Sequence, residues 1–180
     1  MRVVAGAARG VPLTAPRGGA TRPITDRVKE TLFAILGDRV PDARVVDLYA
    51  GSGAIGIEAL SRGAAEVDFV ERDRAALDAI RANLQRTHLA ADARVHALEV
   101  ERYLVASEDG PWDLAILDSP YEVRAIVAPL RALVPHLAPG ASVVIKHFWR
   151  TELPAIGGLT LVRQRRFGET MLTFLNMEAS

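Results

Sequence analysis

The order of apolar and amphipathic segments between residues 43 and 148 constrains the fold more than any other feature of this 180-residue chain. Short apolar runs typical of buried strands recur at 43–50, 66–71, 93–98, 113–118 and 141–148. Apolar residues at helical spacing lie between them, at 54–62, 73–87, 100–106 and 123–137, with Pro129 and Pro135 as predicted kinks or breaks in the last helix. Strands that alternate with helices predict an α/β fold with a mostly parallel, doubly wound sheet.

The flanking segments extend this plan at both ends. Residues 159–167 and 169–175 read as a closing pair of strands. A helix is predicted to begin at Thr25 or Asp26 and to end at Gly37. Residues 1–23 are rich in Gly, Pro and Arg and predict a small hairpin or extended arm. We therefore expect a single domain over 1–180, with a basic N-terminal arm at 1–23 and a core at 24–180.

Charge and composition limit the possible functions and partners of the chain. The net charge is zero, yet residues 1–29 hold six cationic side chains against Asp26 alone, which suggests a polyanionic partner. Without cysteine there is neither a disulfide nor a thiolate metal site, and the four histidines lack metal-ligand spacing, so no metal is predicted. No apolar run is long enough to span a bilayer or to form a signal peptide, and we expect a cytoplasmic protein.

Ligands of a doubly wound sheet bind at the carboxyl ends of its strands, and here acids recur at those ends. The four strand ends carry Asp47 before a glycine turn, Glu71-Arg72, Glu99-Val100 and Asp118-Ser119-Pro120-Tyr121. This recurrence predicts one elongated pocket. The last stretch could also be an ordinary turn, with Asp118 as a cap and Tyr121 in the core.

The glycine turn after the first strand is compatible with several classes of ligand. It lacks the Lys-Ser/Thr of a P-loop, and its formal match to G-x-G-x-x-G is weak evidence for NAD. Asp47 would repel a diphosphate but suits an ammonium-bearing ligand, and Glu71 can accept both hydroxyls of a ribose. An adenosyl group with a zwitterionic tail fits both acids, which predicts S-adenosylmethionine as the cofactor.

Three segments carry a resemblance to a known family. They are TRPITDRVKETLF (21–33), VVDLYAGSGAIGIEALSRGA (45–64) and RFGETMLTF (166–174). The chain resembles the bacterial 16S ribosomal RNA guanine-N2 methyltransferases of the RsmD type, nearly end to end. These are class I methyltransferases, so the resemblance implies a Rossmann-like, seven-stranded sheet with an antiparallel last strand.

The resemblance also implies roles for individual residues. Cofactor binding would fall to Asp47, Tyr49, Ala50, Gly51, Ser52, Gly53, Glu71, Arg72, Glu99, Val100 and Asp118. The acceptor base would lie at the catalytic residues Asp118, Ser119, Pro120 and Tyr121. Ser119 departs from the family's Asp-Pro-Pro-Phe/Tyr, and the loop loses the fixed φ of one proline.

The implied substrate is the exocyclic N2 of a guanine in 16S ribosomal RNA, guanine 966 by resemblance, either free or in a partly assembled small subunit. The enzyme would act as a monomer. The arm would hold RNA phosphates through Arg9, Arg17, Arg22, Arg27 and Lys29. Two alternatives remain: a related enzyme acting on an adenine N6 or a protein glutamine, and an RNA-binding module whose site is impaired by Ser119.

Overall fold

A computed structural model describes residues 1–16, 24–119 and 124–179. Within these residues seven strands form one sheet in the order β3-β2-β1-β4-β5-β7-β6. Strands β1 to β5 pair in parallel, and β7 runs antiparallel to both β5 and β6. The bounds are β1 Arg44–Leu48, β2 Glu66–Glu71, β3 Ala93–Ala97, β4 Trp112–Leu117, β5 Leu137–Phe148, β6 Leu159–Phe167 and β7 Thr170–Met177. The predicted Rossmann-like α/β sheet with an antiparallel last strand is confirmed.

Five α-helices accompany the strands in the described part of the chain. They are α1 Asp26–Leu36, α2 Ala54–Ser61, α3 Arg74–Thr87, α4 Val100–Ala106 and α5 Arg124–Leu133. Two begin at side-chain caps: the Thr25 hydroxyl accepts from the N–H of Val28, and the Asp73 carboxylate accepts from the N–H of Ala76. Such caps satisfy amide groups that have no partner within the helix.

The sheet is covered on both faces, because successive strand residues point to opposite sides. Val45 lies in the core that includes residues of α1, α2 and α3. Val46 and Leu48 lie in the second core, which includes residues of α4 and α5. Burial on both faces explains why the strands read as continuous apolar runs.

The end of the α5 region differs from the sequence-based prediction. A helix was predicted to reach residue 137, but α5 ends at Leu133, a 3-10 turn covers Val134–His136, and β5 already begins at Leu137. Pro129 lies inside α5 and does not end it. Pro135 lies in the 3-10 turn, where the absent N–H and the fixed φ of proline are tolerated more easily than in a continuing α-helix.

The first residues of the chain fold onto the sheet's helices. Residues 1–13 form a short hairpin: Arg2 bridges Pro12, and the N–H of Val3 donates to the carbonyl of Val11. Val3, Ala8 and Leu13 are buried in the core beside α2. Across the described residues, no helix combines the length and the apolar character that crossing a membrane requires.

Candidate active site

The sheet order places the predicted acids in a row along one edge. Glu99 follows β3, Glu71 ends β2, Asp47 lies near the end of β1 and Asp118 follows β4. Because β3, β2, β1 and β4 are consecutive neighbours, these positions are also consecutive in space. The next strand, β5, adds Lys146 to the row. The carboxyl edge of the sheet is therefore acidic, with one lysine at its far end.

The glycines of the turn and of the first turn of α2 have different structural roles. Gly51 has a φ of 56°, and a Cβ there would meet nothing within 4 Å. Gly53 has a φ of 74°, and Gly56 lies so close to Phe69 that a Cβ would come within 2.3 Å of the ring. Gly51 thus leaves open space beside the backbone, whereas Gly56 permits α2 to pack closely on the sheet.

Asp47 is 1% exposed and its two carboxylate oxygens have different environments. Oδ2 accepts from the N–H of Gly56 at 3.0 Å and caps the first turn of α2. Oδ1 is buried, and no donor from the described residues reaches it. Burial raises the pKa of Asp47 well above its usual value despite the Gly56 bond, and nearby Asp118 and Glu71 raise it further. A buried acid with a free oxygen is suited to a cationic ligand.

Glu71 connects the ends of β1 and β2. One carboxylate oxygen accepts from the N–H of Gly51 at 3.0 Å. The other accepts from the N–H groups of Arg72 and Asp73. The Arg72 guanidinium reaches across to Glu99 at 2.7 Å, and this exposed ion pair raises the pKa of Arg72. Glu71 and Glu99, predicted to bind the ribose and the adenine, are therefore held in place by backbone N–H groups and by Arg72 respectively.

The rest of the predicted cofactor set lies around these acids. Tyr49 has a positive φ of 60°, and its hydroxyl donates to Glu101 at 3.4 Å. The pKa of Tyr49 is raised mainly because its side chain is partly buried. The N–H of Ala50 donates to the carbonyl of Val70, and the carbonyl of Ser52 accepts from Asn83. Val100 is buried as the first residue of α4, beside a cavity that Glu99 and Arg72 help to line.

Asp118 forms an ion pair that the sequence did not reveal. The Lys146 ammonium donates to Asp118 Oδ1 at 2.5 Å, with side chains 13% and 26% exposed respectively. Burial raises the pKa of Asp118, and the charge and hydrogen bond of Lys146 oppose this rise. The only available signal was a lysine inside the apolar run SVVIKHF. Ser119 is buried, whereas Pro120 and Tyr121 lie outside the described residues.

The predicted RNA contact of Lys29 is wrong. Lys29 is fully buried, and its ammonium donates to Glu58 at 3.1 Å and to the carbonyl of Arg2. Glu58, also fully buried, accepts in addition from the N–H groups of Val4 and Ala5. The reason for the error is that a cation in a basic segment was assigned to the surface, although its partner lies 29 residues away in α2.

The other predicted RNA contacts divide into two groups. Arg9, in the N-terminal hairpin, and Arg27, in the first turn of α1, are both exposed. Arg17 and Arg22 lie outside the described residues. The structure therefore leaves two of the five predicted phosphate contacts on the surface and buries one.

Comparison with known proteins identifies the family. The sequence profile of the family described as Conserved hypothetical protein 95 matches residues 1–176. Ribosomal RNA small subunit methyltransferase D of Escherichia coli K12 is 33% identical over 182 residues, which cover 99% of this chain and 91% of that protein. This chain belongs to the small-subunit methyltransferase D family. YlbH of Bacillus subtilis 168 is 37% identical over 175 residues, with 94% and 95% of the two chains covered.

Solved structures agree with this membership. The structure of yhhF from Escherichia coli superposes with a TM-score of 0.89 at 32% identity and covers 100% of this chain and 99% of its own. SMU.776, solved with SAH, shares the fold alone, with a TM-score of 0.70 at 13% identity. The predicted family and its class I methyltransferase fold are confirmed. The SAH in that structure is a ligand of SMU.776, and S-adenosylmethionine stays the predicted cofactor of this chain.

Proposed function

We propose that this chain transfers the methyl group of S-adenosylmethionine to the N2 amino group of a guanine in 16S ribosomal RNA, with guanine 966 as the target implied by resemblance. The observation that carries the proposal is the position of Asp118 and its lysine partner beside the glycine turn and the free oxygen of Asp47. The name of the Escherichia coli relative supports ribosomal RNA as the class of substrate.

The described residues fit the proposed cofactor. Oδ1 of Asp47 offers an unpaired acceptor for the ammonium of the methionine part, and the space beside Gly51 admits the ligand against the backbone. Glu71 and Glu99 lie where the ribose and adenine would follow along the sheet edge. When bound, the cofactor supplies an electrophilic methyl on a sulfonium.

Asp118 has the arrangement required for the acceptor. Lys146 holds Oδ1, and no donor from the described residues contacts Oδ2, so this oxygen is available for an N–H of the substrate. The guanine amino group is a weak nucleophile, because its lone pair is delocalised, and alignment supplies much of the rate. The new C–N bond forms as the S–C bond breaks, and the amino proton passes to Asp118 or to water.

Ser119 completes the proposed acceptor contact through its backbone. Its carbonyl would accept the second N–H of the amino group, so the substituted side chain is not itself required. Tyr121 would stack on a base rotated out of its helix, as enzymes that modify bases commonly require. Because Ser119 precedes a proline, its backbone is biased toward an extended conformation.

The direct test uses purified protein, methyl-labelled S-adenosylmethionine and small subunits that lack the modification. We expect N2-methylguanine at a single site, located by mass spectrometry. Asp118→Ala should lower the rate at saturating cofactor by about 100-fold or more, and calorimetry measures its affinity for the cofactor separately. Asp78→Asn, on the exposed face of α3, is the matched control and should be neutral.

Other outcomes would redirect the proposal. Label on an adenine N6 or on a protein glutamine would replace the guanine with another planar amino group. If cofactor binds but no acceptor is labelled, the impaired-site alternative gains support, and Ser119→Pro should then restore transfer.

A further inference from the structure

A tryptophan and two arginines lie at the same edge of the sheet as the proposed acceptor site. Trp149 follows β5 directly, and its N–H donates to the carbonyl of Glu169 at 2.9 Å. This bond holds it beside the turn between β6 and β7. Trp149 comes three residues after Lys146, which corresponds to about 10 Å along an extended strand. A residue here is close enough to meet the same substrate as Asp118.

The indole carries two guanidinium groups on its ring. The guanidinium carbon of Arg166 lies 3.7 Å from the ring centroid, and that of Arg150 lies 4.7 Å away. Arg166 is also fixed by its Nε, which donates to the carbonyl of Gly168 at 2.8 Å. Both arginines are exposed and Trp149 is half-buried. We call these three residues the Trp149 platform.

The Trp149 platform carries two positive charges. Within residues 1–16, 24–119 and 124–179, neither Arg150 nor Arg166 has a carboxylate within ion-pair distance. Some other surface arginines do have such partners, as Arg2 does in Asp26 and Arg72 in Glu99. Strand β6 adds to the excess, because its nine residues include three arginines and no acid.

A purely structural role explains these contacts less well. The turn is already held by the ladders between β5, β7 and β6, which pair Phe148 with Thr170 and Thr170 with Phe167. An exposed cation–π contact contributes only about 0.5–1 kcal/mol. Arginines that serve only to fix a turn gain from a carboxylate partner, and here none is present among the described residues. An aromatic face with unpaired guanidinium groups instead matches the chemistry that binds single-stranded nucleic acid.

We propose that the Trp149 platform binds an unpaired nucleotide of the RNA beside the methylated guanine. On binding, the base takes the place of a guanidinium group on the Trp149 ring, and Arg150 and Arg166 contact the adjoining phosphates. This inference rests on the proposed function, since the acceptor site and the platform share one edge of the sheet. Arginine is suited to both contacts because its planar group stacks and also donates to phosphate.

The fluorescence of the two tryptophans provides a direct test. Trp112 is fully buried, so quenching by a titrated single-stranded RNA reports on Trp149. We expect quenching by the RNA and none by inorganic polyphosphate, which supplies negative charge without bases. Trp149→Phe should remove the quenching yet keep the affinity, because a phenyl ring still stacks. Trp149→Leu should weaken RNA binding by about tenfold.

The arginines are tested by the salt dependence of binding. Arg166→Gln should reduce the slope of log K against log salt by about 0.7. Arg81→Gln, on the exposed face of α3, is the matched control and should leave the slope unchanged. Far-ultraviolet circular dichroism and cofactor calorimetry verify that each variant is folded.

The outcomes separate this inference from the proposed function. Unquenched Trp149, or Trp149→Leu with wild-type RNA affinity, would overturn the platform even if the enzyme methylates guanine normally. A third outcome is that RNA quenches Trp149 of the wild-type protein and binds Trp149→Leu more weakly, while the wild-type protein transfers no methyl group. That result would support the platform as an RNA surface and refute the proposed reaction. Equal quenching by polyphosphate would show an unspecific anion site and would also overturn the proposal.

Discussion

The ionisation of Asp118 depends on two opposing effects at a single residue. Burial favours the neutral acid, and the Lys146 ammonium at 2.5 Å favours the carboxylate. In the proposed reaction the carboxylate accepts from Lys146 with Oδ1 and from the amino group with Oδ2, and a protonated acid could not accept in this way with both oxygens. The lysine is therefore a positioning residue that acts through Asp118.

This balance predicts how activity depends on pH. Lys146→Met removes the effect that lowers the pKa of Asp118, so the acid limb of the profile of kcat against pH should move up by about 1–3 units. Above the new limb the rate should recover, and Lys146→Arg should keep the wild-type profile. Single-turnover methyl transfer between pH 5 and 9 measures this. An equal loss of rate at every pH would show that Lys146 acts on the substrate itself.

Residues at the strand ends were predictable from sequence, and their partners were not. Asp47, Glu71 and Asp118 each follow an apolar run, so topology alone places them at one edge. Lys29 and Lys146 are the only lysines of the chain, and both pair with an acid distant in sequence. No local pattern distinguishes such a buried lysine from an exposed one.

Helix α2 is the element whose sequence is most fully explained by its contacts. All eight of its residues are buried, between the sheet and the N-terminal hairpin. Gly56 faces Phe69 of β2, and Ser61 accepts from the N–H of Ala8 while donating to the carbonyl of Ala5. The motif GIEALSRG, met first as a family signature, thus forms a docking surface for the start of the chain.

A single methyl group added to α2 tests this packing. Gly56→Ala should destabilise the protein by about 1–3 kcal/mol through overpacking, although alanine favours a helix. Urea unfolding measures the change, and Phe69→Leu should recover part of it. Gly157→Ala, where a Cβ would meet nothing within 4 Å, is the control. If Gly56→Ala has the same free energy of unfolding as Gly157→Ala, α2 can move away from the sheet.

At the level of elements the sequence predicted most of the architecture. Strands β1, β2 and β4 were found because their residues are largely buried and bounded by turn residues, whereas the edge strand β3 has no buried residue. The start of β5 at Leu137 was missed, because its first residues, LAPG, contain the proline and glycine typical of a loop. The docking of the hairpin was also missed, since it depends on contacts 53 to 56 residues apart.

At the scale of the whole molecule, Glu58 of α2 connects segments that are distant in sequence. Its carboxylate binds the hairpin through the N–H of Val4 and α1 through Lys29, and it also accepts from Arg62 at the end of its own helix. Both Lys29 and Glu58 are fully buried, so the loss of one partner leaves an uncompensated charge in the interior. Replacing both at once removes that charge imbalance.

A double-mutant cycle measures this coupling. Lys29→Met and Glu58→Gln should each lower the free energy of unfolding by about 3–5 kcal/mol, and the double variant should lose clearly less than their sum. Chemical denaturation monitored by circular dichroism gives the four values. Arg81→Gln breaks an exposed pair and should cost less than about 1 kcal/mol. Additive losses would show that the two buried charges do not depend on each other.

The docked hairpin also affects the order of folding during synthesis. Residues 1–13 are synthesised before α2, but the groups that fix them, Glu58 and Ser61, are added about fifty residues later. Until α2 has been made, Val3, Ala8 and Leu13 have no core in which to be buried. Residues 1–13 are therefore made before α2 but reach their place only after it, and nascent chains in which residues 54–61 have not yet emerged should leave the hairpin open to protease.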